Sequence, residues 1–267
     1  MKVDIFDLSG NAVEKIDLPK VFETPVREDL ILRAVLSTLS KKRQPYGADV
    51  LAGLRTSAHY HGSRHHRYSM MNREMARMPR LHGKTVPFLY FQARMVPQAV
   101  KGREAHPPKA EKIWIQRIND KERKLAIKSA IAASTSKDLI MKRGHRVNEL
   151  KSFPIVVENN IQEISKTKQL MEFLKKIGLE KELERIKEKK IRAGKGKRRG
   201  RRYRKKVGPL FVITEDKGIS RAAKNITGCD VIRIDNISAE CLAPGAVPGR
   251  LTIFTKSSIE KLGDWKG

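Results

Sequence analysis

Cysteine is almost missing from this chain. Its 267 residues hold two, Cys229 and Cys241, at no CxxC spacing. That excludes a thiolate zinc motif and a disulfide framework. Long apolar runs are missing too. The richest stretches, 153–157 and 209–213, fall far short of the ~20 residues that a helix needs to cross a bilayer. The opening Met1-Lys2-Val3-Asp4-Ile5 lacks the apolar core of a secretory signal. No internal repeat is visible. These absences predict an intracellular, soluble, reduced protein. Acidic residues are scarce, with 29 Asp and Glu against 57 Lys and Arg, a net charge of +28. At 39% apolar residues the chain is still too hydrophobic to be wholly disordered, and it is long enough to bury a core.

The excess charge is concentrated. Residues 41–112 carry fifteen Lys and Arg against four acids, and 187–206 carry thirteen against the lone Glu188. Residues 1–40 and 207–267 are nearly neutral. A solvated helix face mixes signs, so a one-sign block points to a polyanion. A membrane surface would require a basic helix with a bulky apolar face, which 195–206 lacks. The partner these patterns predict is nucleic acid.

Elsewhere the pattern predicts an α/β domain. Residues 2–6 and 13–16 look like a strand pair about a turn at Ser9-Gly10-Asn11. Thr24-Pro25 offers a cap and a first helical position, with Leu30, Ile31, Ala34, Val35 and Leu39 as the buried stripe. Further helices are expected at 123–134, where Ala126, Ala130 and Ala133 allow close packing, and at 166–177, stopped by Gly178. Another is expected from Leu179 into the basic block, and one at 219–225. The apolar run 154–157 predicts a strand covered on both faces, and 210–214, 231–234 and 251–254 predict three further apolar strands. Strands alternating with helices predict a three-layer, mostly parallel sheet with a long irregular internal extension. The globular domain is then 1–42 and 113–267, including a basic strap at 187–206; the extension is 43–112.

That extension shows no sustained period apart from a short possible helix at 70–78. It holds six of the seven histidines and four of the five tyrosines. A structureless loop this long is uncommon inside a compact domain, so the segment is expected either to be disordered or to take its order from something other than this protein. Its candidate RNA-binding residues are Arg43, Tyr46, Arg55, His59, Tyr60, His61, Arg64, His65, His66, Arg67, Tyr68, Arg73, Arg77, Arg80, His82, Lys84, Arg94, Lys101 and Arg103. Cations clamp phosphates, while aromatic planes, including Phe88, Tyr90 and Phe91, receive unstacked bases. A buried strand at 86–91 is the alternative there. In the strap the candidates are Arg192, Lys195, Lys197, Arg198, Arg199, Arg201, Arg202, Tyr203, Arg204, Lys205 and Lys206. Arg77, Met78, Pro79, Arg80, Leu81, His82, Gly83 and Lys84 form the best tip, because Pro and Gly permit a reversal.

Three temptations carry less. Gly194-Lys195-Gly196-Lys197-Arg198-Arg199-Gly200 lacks the preceding strand of a dinucleotide fingerprint. His59, His61, His65 and His66 have no neighbouring thiolate, and Arg64 and Arg67 repel a cation, so no metal is expected. Thr214-Glu215-Asp216 follows a strand but has no placed partner, and Thr214 or Asp216 is expected to cap the next helix. Neither catalysis nor a cofactor is expected.

Several stretches, in order and spacing, resemble one family over nearly the whole chain. They are Arg43-Gln44-Pro45-Tyr46, Arg77-Met78-Pro79-Arg80, Ala130-Ile131-Ala132-Ala133-Ser134 and Lys142-Arg143-Gly144-His145-Arg146. They continue with Arg192-Ala193-Gly194-Lys195-Gly196-Lys197, Glu215-Asp216-Lys217-Gly218-Ile219, Ala222-Ala223-Lys224-Asn225-Ile226 and Leu242-Ala243-Pro244-Gly245. The chain resembles protein four of the large ribosomal subunit in its archaeal and eukaryotic form, and the absence of a long basic tail favours the archaeal type. The resemblance implies a structural constituent of the cytoplasmic ribosome. Its partners would be ribosomal RNA and neighbouring large-subunit proteins, without membrane or small-molecule substrate. It also implies an extension whose end, near Arg77 to Lys84, helps line the polypeptide exit tunnel. In place of the family's glycine-rich tip stands Lys84-Thr85-Val86-Pro87-Phe88-Leu89-Tyr90-Phe91. Two other classes remain open. An RNA-modifying enzyme would need a cofactor site at a strand's C-terminal edge, and a DNA-compacting protein would bind duplex DNA as well as RNA.

Overall fold

The computed structural model describes residues 1–150, 152–263 and 265. The chain divides into two units, Met1–Lys42 with Ile115–Gly267, and Arg43–Trp114. In the first unit β1 (Lys2–Phe6) and β2 (Ala12–Asp17) form an antiparallel hairpin in which Val3 faces Ile16, with a bulge between Ile5 and Phe6. Then come α1 (Glu28–Lys41), α2 (Asp120–Ala132) and α3 (Lys137–Lys142). β3 (Ile155–Val157), α4 (Thr167–Lys176) and α5 (Glu180–Lys187) follow, leading into the short strands β4 (Lys190–Ile191) and β5 (Tyr203–Arg204). The chain continues through β6 (Leu210–Ile213), α6 (Ile219–Lys224), β7 (Asp230–Arg233), α7 (Ala239–Leu242), β8 (Thr252–Thr255) and α8 (Lys256–Gly263).

Six strands form one sheet in the order β2-β1-β3-β8-β6-β7, parallel everywhere except in the first hairpin. Every residue of β3, β6 and β8 is buried. β3 and β6 are unbroken apolar runs, as a strand covered on both faces requires, while β8 buries Thr252 and Thr255 beside Ile253 and Phe254. Alternation along each strand divides the core in two. Ile155, Val157, Phe211, Ile213 and Ile253 face a cluster with Ile140 of α3, Leu170 and Leu174 of α4, Leu183 of α5 and Ala222 of α6. Val156, Leu210, Val212 and Phe254 face the other, with Ile31 and Val35 of α1, Ile127 and Ile131 of α2, Leu242 of α7 and Ile259 of α8. The sheet is therefore the middle of three layers. Neither cluster contains a residue from 43–114.

Local expectations hold where the signal is local. Gly178, at φ +93°, ends α4, and its N–H and that of Leu179 return to the carbonyls of Lys175 and Leu174. Others need correction. α1 begins at Glu28, not at Thr24, because Ser129 Oγ of α2 accepts the Arg27 N–H at 2.6 Å, while Thr24 closes a 3-10 turn over Lys20–Glu23. Leu39 is 45% exposed, so it leaves the expected stripe. The short helices α3 and α8 have too few residues to show a period. Residues 70–78 form turns, and the alternative strand at 86–91 is replaced by a 3-10 turn over Pro87–Leu89 with Phe88 exposed.

Candidate nucleic-acid interface

The strap at 187–206 is a two-stranded antiparallel ribbon, Lys190 opposite Arg204 and Ile191 opposite Tyr203. Strands this short carry no readable alternation, which is why the sequence predicted only a flexible strap. The ribbon turns through a 3-10 segment over Lys195–Lys197. Arg192, Lys195, Lys197, Arg198, Arg199, Arg201, Arg202, Tyr203, Arg204 and Lys205 are all exposed. Among the described residues, only Lys206 of the ribbon has a carboxylate partner, Glu188. Thirteen like charges on so small an element repel one another unless an anion intervenes.

The ribbon's root is fixed from below. Arg185 donates to the Val207 carbonyl at 2.6 Å and to both carboxylate oxygens of Glu182 at 2.6 and 2.7 Å. Glu182 also accepts the Arg146 N–H at 2.9 Å and lies 2.7 Å from His145 Nδ1. His145 Nε2 accepts the Leu251 N–H, so the ring is neutral with its proton on Nδ1. Burial holds the His145 pKa below its ordinary value, against the opposing pull of Glu182. Burial raises that of Glu182, but hydrogen bonds from Arg185 and His145 outweigh it and hold the carboxyl below its usual range. Arg250, also buried, donates to the carbonyls of Gly208 at 3.0 Å and Cys241 at 2.8 Å. Gly228 lies at φ +81°, and any Cβ there would meet the Lys206 carbonyl at 2.4 Å, so the chain leaving the ribbon passes against bare backbone.

The unit Arg43–Trp114 is built differently. Among its residues only Ala58, Ser69, Met70 and Leu81 are buried. Its order comes from two isolated bridges, His59 with Arg80 and Arg80 with Ala93, and from planar side chains. His61 stacks on His66 at 3.6 Å and Tyr68 on His82 at 4.5 Å, while the Arg73 guanidinium lies over Phe91. Tyr46 stacks on Trp114, with Arg43 3.8 Å from the indole centroid. Trp114 gives no signal in the sequence, because only the fold brings Tyr46 and Arg43 to it. The expected tip divides. Arg77, Gly83 and Lys84 are exposed, but Leu81 is buried, and Arg80 donates to the carbonyls of Ala76 and Phe91 at 2.9 and 2.8 Å. Arg55 pairs with Asp49, and Tyr60, Arg64, His65, Arg67, Lys101 and Arg103 are exposed.

One set of side chains in this unit has metal-ligand geometry. A ring nitrogen from each of His59, His61 and His82 lies within 4.8 Å of the others. Of the four histidines weighed from sequence, two belong to it, and His82 joins them through the fold. Burial and the neighbouring imidazoles lower the pKa of His61 and His82. The set contains no thiolate or carboxylate to offset a cation's charge.

The C-terminal edge of the sheet is where an α/β enzyme would hold its reactive groups. There Gln162 Oε1 accepts the Glu215 N–H at 2.9 Å, Thr214 and Ser257 hydrogen-bond each other, and Asn159 Oδ1 accepts the Ser257 N–H at 3.0 Å. Asp216 accepts the N–H groups of Gly218 and Ser220 at the start of α6, the capping role expected for it. These groups satisfy one another.

Among the described residues no helix is long and apolar enough to cross a membrane. The chain is 46% identical to the large ribosomal subunit protein uL4 of Methanosphaera stadtmanae, over 98% of this chain and 96% of that protein. It is 44% identical to uL4 of Methanopyrus kandleri over the full length of both, and 44% identical to uL4 of Haloquadratum walsbyi over 99% of this chain and all of that protein. Residues 16–265 match the ribosomal protein L4/L1 family. An α/β body with two strongly cationic segments and this extent of likeness leave one conclusion: the chain belongs to the ribosomal protein L4/L1 family.

Proposed function

We propose that the chain is a structural constituent of the large ribosomal subunit, located in the cytoplasm, that binds ribosomal RNA through 43–112 and the ribbon. Its relatives are ribosomal proteins and not enzymes. Through Arg77 to Lys84, segment 43–112 contributes to the wall of the polypeptide exit tunnel beside neighbouring large-subunit proteins. The observation that carries this reading is the unit Arg43–Trp114, which is strongly cationic and adds nothing to either hydrophobic cluster. Fixing each backbone residue costs about 1–2 kcal/mol. Without a core of its own, the segment must recover that from a partner, and its arginines and aromatic planes fit phosphates and unstacked bases.

In assembled large subunits, a photo-crosslinker at Arg64 or Arg198 is expected to reach ribosomal RNA, and one at Lys84 a stalled nascent peptide. Capture of the nascent peptide from Arg198 and not from Lys84 would place the tunnel-facing residues elsewhere.

A further inference from the structure

Beside the ribbon's root lies a cleft of about 850 Å³. Lys142 and Arg143, from the end of α3, line it together with Lys189, Lys190, Arg204 and Lys205 from the ribbon. Val207 and Val247 add apolar surface. Two further cations there are neutralised, Arg185 by Glu182 and Lys206 by Glu188. The first six make no ion pair among the described residues, although they face one cavity. Arg143 is held in place, since its guanidinium donates to the carbonyls of Pro244, at 2.6 Å, and Val247. Burial and the charges of Arg250 and Arg185 push its pKa down to about 10. An anion in the cleft would relieve that repulsion.

The volume exceeds what a bare phosphate fills and lies within the ~300–1,000 Å³ of small-ligand pockets. The combination of an apolar patch and a cationic rim suits a nucleotide, whose base is planar and whose phosphates are charged. We propose that this cleft seats a single RNA nucleotide turned out of its stack. Its base would lie against Val207 and Val247, and its flanking phosphates would reach the six unpaired cations. The inference rests on the RNA-binding reading and deepens it, because a diffuse cationic field would need no discrete seat.

Adenosine 5′-monophosphate, adenosine and inorganic phosphate, each titrated into the full chain by calorimetry, test it. The monophosphate is expected to saturate one site and to bind at least tenfold more tightly than adenosine or phosphate alone. The triple variant Lys142→Gln, Lys190→Gln, Arg204→Gln is expected to weaken it tenfold or more. The charge-matched variant Lys168→Gln, Lys176→Gln, Arg221→Gln, at exposed residues outside the ribbon, should stay within twofold of the unaltered chain. No saturable site, or equal losses in the two variants, overturns the proposal. Large-subunit RNA binding by the same samples separates the failures. If RNA binds and the monophosphate does not, only the cleft is wrong; if neither binds, the RNA reading falls as well.

Discussion

Replacing Arg198, Arg199, Arg201 and Arg202 with glutamine is expected to cut affinity for large-subunit RNA by roughly a thousandfold at 0.1 M salt. Each phosphate contact releases counterions and contributes ~0.7–0.9 to the slope of log affinity against log salt. Four lost contacts therefore make that slope shallower by about 3, and curves for the variant and the original chain should converge near 1 M salt. All four side chains are exposed, and none takes part in the network beneath the ribbon, so the fold should not change. Titration by filter binding across a salt series checks this. An unchanged slope would mean that the ribbon points into solvent in the complex.

Glu182→Ala is expected to destabilise the α/β unit by about 3–5 kcal/mol, the usual result of leaving a buried ion-pair partner uncompensated. Glu182 is fully buried, and its removal strands Arg185, the Arg146 N–H and the His145 Nδ1 proton together. Thermal unfolding should show the midpoint lowered by on the order of 10 °C. The same network makes the fold acid-sensitive. His145 has a folded pKa below the ordinary 6.5, so the unfolded chain binds the proton more readily. The stability from its neutral form is complete above pH 6.5 and declines as pH falls below that. Glu182, held below 4.5, adds a second decline beneath that value. His145→Ala should flatten the first decline and leave the second. A midpoint within 2 °C of the original in Glu182→Ala would show that the network anchors nothing.

What the sequence made legible was whatever a short stretch can specify by itself. The strands at 155–157 and 210–213 need only continuous apolar character, and two-sided burial follows from it, whereas the strand at 252–255 buries a threonine at each end. Gly178 ends its helix by its own backbone freedom. The start of α1 was not legible, because its cap is Ser129, supplied from another helix 102 residues away. Nor was the ribbon, whose strands are two residues each and whose pattern is hidden beneath uniform charge. Along 187–206 the cationic character was plain, but the place of Lys142 and Arg143 beside it was not. Nothing in their own sequence places them there, and only the packing of α3 brings them to the cleft. His82 met His59 and His61 in the same way, through pairing of distant loop segments.

The central claim is that a polyanion provides the core that Arg43–Trp114 lacks. Amide hydrogen exchange on the full chain, free and bound to large-subunit RNA, tests it most directly. Free, residues 43–114 should exchange within about tenfold of unstructured rates while β3, β6 and β8 exchange only through global opening; bound, the same residues should slow by several orders of magnitude. Strong protection across 43–114 in the RNA-free protein would contradict the account.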